Sequence, residues 1–374
     1  MNDNANALTL PATDTMPGLT WLAVSMTDGS VIAELKGLQC QSVETRMMET
    51  VTRDASLPWD DTPTNWDQAT TPGAIALLLI QETNPTQALW GGTIVKRTRD
   101  ITSATIDLKI SSIENYLDAC PVGNDSYTNT DQNQIVAQLI TKWAINGMRN
   151  IITVDTQPST TKRDDTDHTT DDNKSVLSCI QALANLNGGP EWYCSWELDA
   201  ETNRWRAVVH IADRIGSETP VIDLGPESMS AFSVEESWEN GYGANRVQAY
   251  SSADGDAAQP VSSWHDAGDT SRPVIPYRWQ PSTSISNVET LESHAESKLT
   301  QLKDGTNTIS MSLDLETMPR LGVDWRLGDM IRWDMSDAAD RLGEWAKGVT
   351  RLIGYQIDLV AGTVTPYLQN DGEV

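Results

Sequence analysis

Six residues between 164 and 172 have the types and spacing to do chemistry: Asp164, Asp165, Asp167, His168, Asp171 and Asp172. Carboxylates this close repel one another unless a cation neutralises them, so the run could gather a hard metal ion. The turn glycine and closing bidentate glutamate of a calcium-binding loop are missing. A solvated acidic loop over 155–174, mobile and without metal, is the preferred reading. Trp264-His265-Asp266 could seat a general base beside an orienting acid. No nucleophile can be assigned to it, so an ordinary histidine at a loop tip is preferred.

The wider search finds no further chemistry. The four histidines (His168, His210, His265, His294) share no helix spacing, and HExxH, GxSxG, the Walker lysine loop and GxGxxG after a strand are all absent. The expectation is therefore no catalytic residue, no metal, no cofactor and no enzyme activity. A wall hydrolase using paired carboxylates is a weaker alternative, because 53 acidic residues make such pairs uninformative. Cys40, Cys120, Cys179 and Cys194 lack CxxC spacing and read as buried thiols of a protein folding in a reducing cytoplasm, with a Cys179–Cys194 bridge as the alternative.

Fourteen Trp against one Phe raise the question of sugar stacking. Trp21, Trp90, Trp192, Trp196, Trp205, Trp325 and Trp333 lie in or beside strand-like segments, where indoles pack cores and interfaces. Trp59 and Trp66 differ. They sit in a loop marked by Pro58, Pro63 and Pro72 and are candidates for contact with a partner. Lys96, Arg97 and Arg99 form a basic cluster on a strand, and alternation puts Lys96 on one face and the two arginines on the other. The whole chain is acidic, with 26 basic against 53 acidic residues and a net charge of −27. Such a surface does not grip nucleic acid, though it can let DNA slide past.

The elements that must position these residues are mostly strands. Leu19–Met26 and Val31–Leu35 flank Asp28-Gly29, a hairpin signal, and the apolar run Ala74–Ile80 reads as a buried central strand. Leu89–Val95 and Ser103–Ile110 continue this first all-β part. Helices are predicted from Thr130-Asp131, along Val176–Leu186 and along Ser286–Leu302, where apolar residues recur at helical spacing. A hairpin at 192–211 makes the middle region α+β, and strands return at 230–250, 308–315, 330–333, 348–359 and 363–368. No segment approaches a membrane span, and MNDNANALTLPATD has neither the basic start nor the apolar core of a signal peptide.

Several segments, in order, resemble the tail-hub (minor tail) proteins of siphophages: DGSVIAEL (28–35), LPWDDTPTNWDQATTPGAIALLLI (57–80), ALWGGTIVKRTRD (88–100), IENYLDACPVG (113–123), TDQNQIVAQLI (130–140), NGGPEWYCSWELD (187–199), ADRIG (212–216), FSVEESWENGYGANRVQAYSSADGD (232–256) and RLGDMIRW (326–333). The resemblance implies a mainly β fold with an α+β insert: a first tube-like antiparallel β-barrel over 1–122, a middle domain over 123–227, and a second barrel with one helix over 228–374. It implies a homotrimeric, pseudo-sixfold ring at the tail tip of the virion, closing or continuing the tail tube. The expected partners are the distal tail protein ring, the tape-measure protein and receptor-binding or fibre proteins, with phage DNA in transient passage. A tail-tip protein whose tryptophan loops touch host glycan directly is the runner-up.

Overall fold

The computed structural model describes residues 18–145, 151–168, 171, 173–186, 188–252, 258–281, 285, 287–317 and 319–369. The chain is mainly β, with two curled half-barrel sheets and few helices. It divides into two compact units, one of residues 1–230, 312–337 and 346–368, the other of 231–311, 338–345 and 369–374.

The first sheet grows around an apolar run. Strands β1 (Leu19–Ser25), β2 (Val31–Glu34), β3 (Ser42–Arg46), β4 (Thr52–Pro58), β5 (Ile75–Gln81), β6 (Asn84–Asp100) and β7 (Thr105–Ser111) follow in chain order. All seven residues of β5 are buried, as a strand covered on both faces requires. It pairs antiparallel with β1 and with β6. The β1–β2 turn is locked by Asp28, whose Oδ1 accepts the N–H of Ser30 at 3.1 Å and its hydroxyl at 2.7 Å. Gly29 there has φ +74°, and a Cβ would meet the carbonyl of Trp205 at 2.2 Å, so both the turn and the packing call for glycine.

β6, at 17 residues, serves two neighbours on one edge: its far half pairs with β7, itself paired with β4, and Gln87 pairs with Glu197 of β11. The middle region therefore continues the first sheet. Its strands are β8 (Asp125–Asp131), β9 (Ile152–Thr156), β10 (Lys162–His168), β11 (Glu191–Asp199) and β12 (Arg204–Ala212), and the sheet order runs β2-β1-β5-β6-β11-β12-β9. The polar loop expected over 155–174 is in part ordered strand: β9 lies parallel to β12, and β10 pairs antiparallel with β8. The Asp-rich β10 escapes a propensity reading because its cross-strand pairing with β8 holds it.

Helices α1 (Trp66–Ala69), α2 (Glu114–Ala119), α3 (Gln132–Leu139) and α4 (Val176–Ala184) belong to this unit. Asp131 caps α3 by accepting the N–H groups of Asn133 and Gln134, and Ser175 caps α4 in a reciprocal box with Ser178. Their apolar stripes, Ile135, Leu139, Ile180 and Leu183, join Trp192, Trp196, Trp205, Val209 and Ile211 in one core. All seven strand tryptophans are buried, at 4% exposure or less. Gly91 has a packing reason: a Cβ there would lie 2.4 Å from the indole of Trp196 in the same chain. The four cysteines are free thiols.

The second sheet contains β13 (Pro220–Leu224), β14 (Met229–Ser237), β18 (Thr306–Asp314), β19 (Met330–Asp334), β20 (Lys347–Asp358) and β21 (Thr363–Leu368), in the order β13-β19-β20-β21-β18-β14. β3 crosses over to it and pairs with β20, with Val43 opposite Ile357. The sheets are clasped at Arg351, which is 5% exposed and lies on β20. Its guanidinium grips the carboxylate of Glu191 on β11 in a bidentate pair and donates to the carbonyls of Gly328 at 3.0 Å and Ile215 at 2.7 Å. Glu191 also accepts the N–H of Ile215 at 2.7 Å. The outer edges of β2, β9 and β13 have no strand partner among the described residues.

The second unit is a small α/β body. It contains the strands between β14 and β18, namely β15 (Arg246–Ala249), β16 (His265–Asp266) and β17 (Pro276–Trp279), in the order β16-β15-β17, and helix α5 (Val288–Leu302). Asn287 caps α5, so the helix starts at Val288, the first residue of its apolar stripe, two residues after the expected Ser286. Leu291, Ala295, Leu299 and Leu302 cover one face of the sheet, against Ala244, Val247 and Ala249. No helix among the described residues is long and apolar enough to cross a membrane.

Candidate interaction surface

The residues expected to meet a partner converge on the β6–β7 hairpin and the proline-bounded loop before β5. Trp59 follows β4, and its N–H donates to the carbonyl of Ala104 at 3.0 Å, which places it beside the hairpin tip. At that tip Asp100 accepts the N–H groups of Thr102 at 2.7 Å and Ser103 at 3.2 Å, and these bonds lower its pKa. Ile101 stands 82% exposed on the tip, and Trp59 is 42% exposed.

Trp66 opens the short helix α1 and is half-buried. The guanidiniums of Arg97 and Arg99 lie 5.7 Å and 5.2 Å from its ring centre, in the range of cation–π attraction. Both also reach Asp67, at 3.0 Å and 2.7 Å, and Arg97 donates to the Asp67 carbonyl and the Thr70 hydroxyl. The two arginines therefore hold this chain's own loop against β6. Lys96 is exposed on the opposite face, as alternation predicts, directly across from the exposed Lys109. That face borders a cleft of about 650 Å³ whose lining includes Gln39, Cys40, Asp54 and Asp107. The structure thus brings Trp66, Arg97 and Arg99 together, sets Trp59 at the tip, and separates Lys96 from all four.

One polar constellation has no signature in the sequence. Ser195 and Glu197 on β11, His210 on β12 and Asp155 on β9 share one face of the first sheet. The Ser195 hydroxyl lies 2.8 Å from His210 Nε2, and Nδ1 of the same ring lies 3.1 Å from Asp155. This is the connectivity of a hydrolytic triad, but Glu197 changes its chemistry. Its carboxylate accepts the Ser195 hydroxyl at 2.8 Å and also faces His210 Nε2 at 3.2 Å. Burial alone would lower the His210 pKa, but hydrogen bonds to Glu197 and Asp155 outweigh it and the pKa is raised. Glu197 is lowered in turn, chiefly by His210. The Ser195 hydroxyl is donated to Glu197 and not to His210, and the four side chains link β9, β11 and β12 across the sheet. The ring of Tyr193 stacks on His210 with centroids 4.6 Å apart. The i, i+2 pair Ser195/Glu197 was visible in the sequence, but the strand register that brings His210 and Asp155 beside it was not.

The other two sequence candidates dissolve. His265 pairs with Glu292 of α5 at 2.6 Å, while Asp266 accepts the N–H of Gly268, so Asp266 does not orient the imidazole. Hydrogen bonds from the Ser263 backbone and hydroxyl, and then from His265, hold the Glu292 carboxyl down at about 2. In the acidic run, Asp164 accepts the N–H of Asn129 at 2.7 Å. The side chains of Asp165, Asp167 and His168, and residue Asp172, lie outside the described set. Among the described residues no group of three His, Cys, Asp or Glu is placed to hold a metal ion.

No family model matches the chain, and no curated protein matches it. Solved structures do. The tail protein from Neisseria meningitidis MC58 is 14% identical, with 95% of this chain aligned to 97% of that one at a TM-score of 0.53. The 43 kDa tail protein of prophage MuSo2 from Shewanella oneidensis is 12% identical over 94% of this chain and 98% of its own, with a TM-score of 0.54. A chain of the half-lidded Francisella PdpA–VgrG complex is 12% identical, with 95% of this chain covering 58% of that one at a TM-score of 0.52. At such identities the shared property is the fold. This chain has the fold of phage tail proteins, in agreement with the resemblance of its ordered segments to tail-hub sequences.

Proposed function

We propose that this chain is a structural component of a phage tail and, more specifically, the hub at the tail tip of a siphophage virion. The observation that carries the reading is the end-to-end match: two tail proteins align over nearly their whole length with nearly the whole of this chain. In this reading three copies assemble, each giving two tube-like barrel domains (1–122 and 228–374) around the middle domain (123–227), to make a pseudo-sixfold ring. The ring continues the tail tube, stacks on the distal tail protein and the tape-measure protein, and anchors receptor-binding or fibre proteins. The open edges of β2, β9 and β13 support it, because unpaired strand edges call for neighbours.

The net charge of −27 suits a bore that lets DNA pass without holding it. The chain acts in this role without catalysis or cofactor. Sedimentation equilibrium of the full chain, with a density map of the tail tip, tests the proposal. A trimer and a ring with an acidic lumen are expected; a compact monomer at every concentration, or a bore lined by Lys and Arg, would overturn it. A second reading, direct contact with host glycan, is favoured by one observation, the exposed indole of Trp59 beside the hairpin tip. Glycan-array binding that Trp59→Ala abolishes would select it.

A further inference from the structure

Among the described residues of the second unit, helix α5 covers one face of the three-stranded sheet. Val247 and Ala249 of β15 point into the core beneath α5. The neighbouring side chains on β15 point the other way, and that opposite face carries the partly exposed Arg246 and Gln248, followed by Tyr250. The parallel register sets Gln248 beside Arg278 of β17, so Arg246 and Arg278 are diagonal neighbours across adjacent strands. Each guanidinium lies over an aromatic ring: Arg246 is 5.3 Å from the centre of Trp264, and Arg278 is 4.9 Å from that of Tyr250. Among the described residues neither arginine has a carboxylate within ion-pair distance, and the buried Nε of Arg246 has no hydrogen-bond partner. Asp266 flanks the face, with one carboxylate oxygen engaged by the N–H of Gly268.

This arrangement is unexpected in a chain with 53 acidic residues. An aromatic ring beside a guanidinium holds it in place without neutralising its charge, which remains to receive a carboxylate. Trp264, 37% exposed, adds apolar contact surface beside it. We propose that this face is a docking surface for a second copy of the chain, and that Arg246 and Arg278 receive carboxylates of that copy. Charge complementarity selects the occupant. A chain of net charge −27 supplies acidic side chains in abundance, and among the described residues these two arginines have no ion-pair partner. A polyanion such as DNA is a poorer match, since it needs a track of cations and meets the repulsion of the remaining surface.

The inference rests on the self-assembling ring proposed above and adds the face through which copies meet. Sedimentation of the full-length chain tests it, comparing the wild type with Arg246→Gln/Arg278→Gln and with Arg278→Glu. The single variant changes an exposed side chain, so it tests the interface even where the double variant disturbs the fold, and tryptophan fluorescence reports folding in each. The wild type is expected to form trimers, and each folded variant to dissociate with a constant raised about tenfold or more, a change of ~1.4 kcal/mol. Variants that fold and assemble like the wild type would overturn the docking face while leaving the ring intact. A wild type that stays monomeric would overturn the ring and this face with it.

Discussion

Two arginine–carboxylate sites tie segments of the first unit together, and they use the same chemistry in opposite settings. Arg351 is buried, with its carboxylate partner Glu191 largely enclosed, and two backbone carbonyls take up its remaining donors. Arg97 and Arg99 share the single carboxylate of Asp67, whose side chain is 67% exposed, and Arg99 is itself 52% exposed. Buried ions lose their hydration, so the first site is stable only while every partner is present. Exposed ions keep water as an alternative partner, so the second can open at little cost. The contrast assigns roles. The Arg351 clasp joins the two sheets through buried charges, whereas the Asp67 clamp holds a surface loop through exposed ones.

The contrast is broken most directly at Arg351. Arg351→Ala leaves the Glu191 carboxylate buried without its cation and is expected to lose about 3–5 kcal/mol in urea unfolding. Replacing both residues, Arg351→Met with Glu191→Leu, should lose clearly less, since no uncompensated charge remains. Equal losses from the single and double replacements would show that the clasp acts by packing and not by charge.

At the exposed clamp the effects are smaller and ordered by burial. Arg97→Ala, at a side chain 12% exposed, should lose about 1 kcal/mol, and Arg99→Ala no more than ~0.5 kcal/mol. Hydrogen exchange over residues 59–73 should quicken in both while global stability hardly moves. A loss at Arg99 as large as that at Arg351 would erase the distinction.

The His210 cluster lies between these extremes, and pH sharpens the comparison. Its pKa is raised in the folded state, so its contribution is complete below the ordinary histidine value of 6.5 and is lost as pH rises through the folded value. Stability should therefore decline over the interval just above pH 6.5, and His210→Gln should flatten that decline. Exchange of the β9 amides, measured across the same interval, should follow it in the wild type only. An unchanged slope in the variant would show that the proton on His210 does not hold β9.

How much of this could be read along the chain varies with the range of the forces involved. The buried run of β5, the Asp28-Gly29 turn, the cap at Asp131 and the stripe of α5 are local patterns, and each lies where its spacing puts it. Strand alternation likewise separated Lys96 from Arg97 and Arg99. Strand β10 falls inside the expected loop because its Asp-rich residues have low strand propensity and are held by β8, tens of residues away in sequence. The space left by Gly91 is filled by the indole of Trp196 of the same chain, and nothing local to Gly91 names that occupant.

By itself the sequence determined the class of fold, the burial of the strand tryptophans, the acidic character and the absence of any recognised catalytic motif, because composition and short-range periodicity encode these directly. Tertiary structure alone decided which arginine holds the sheets together and which holds a loop, that β3 leaves its neighbours to pair with β20, and that Ser195, His210, Asp155 and Glu197 meet. Each of these depends on strand register between segments tens to hundreds of residues apart. Register is set by the packing of a whole sheet, and no local run of side chains carries it.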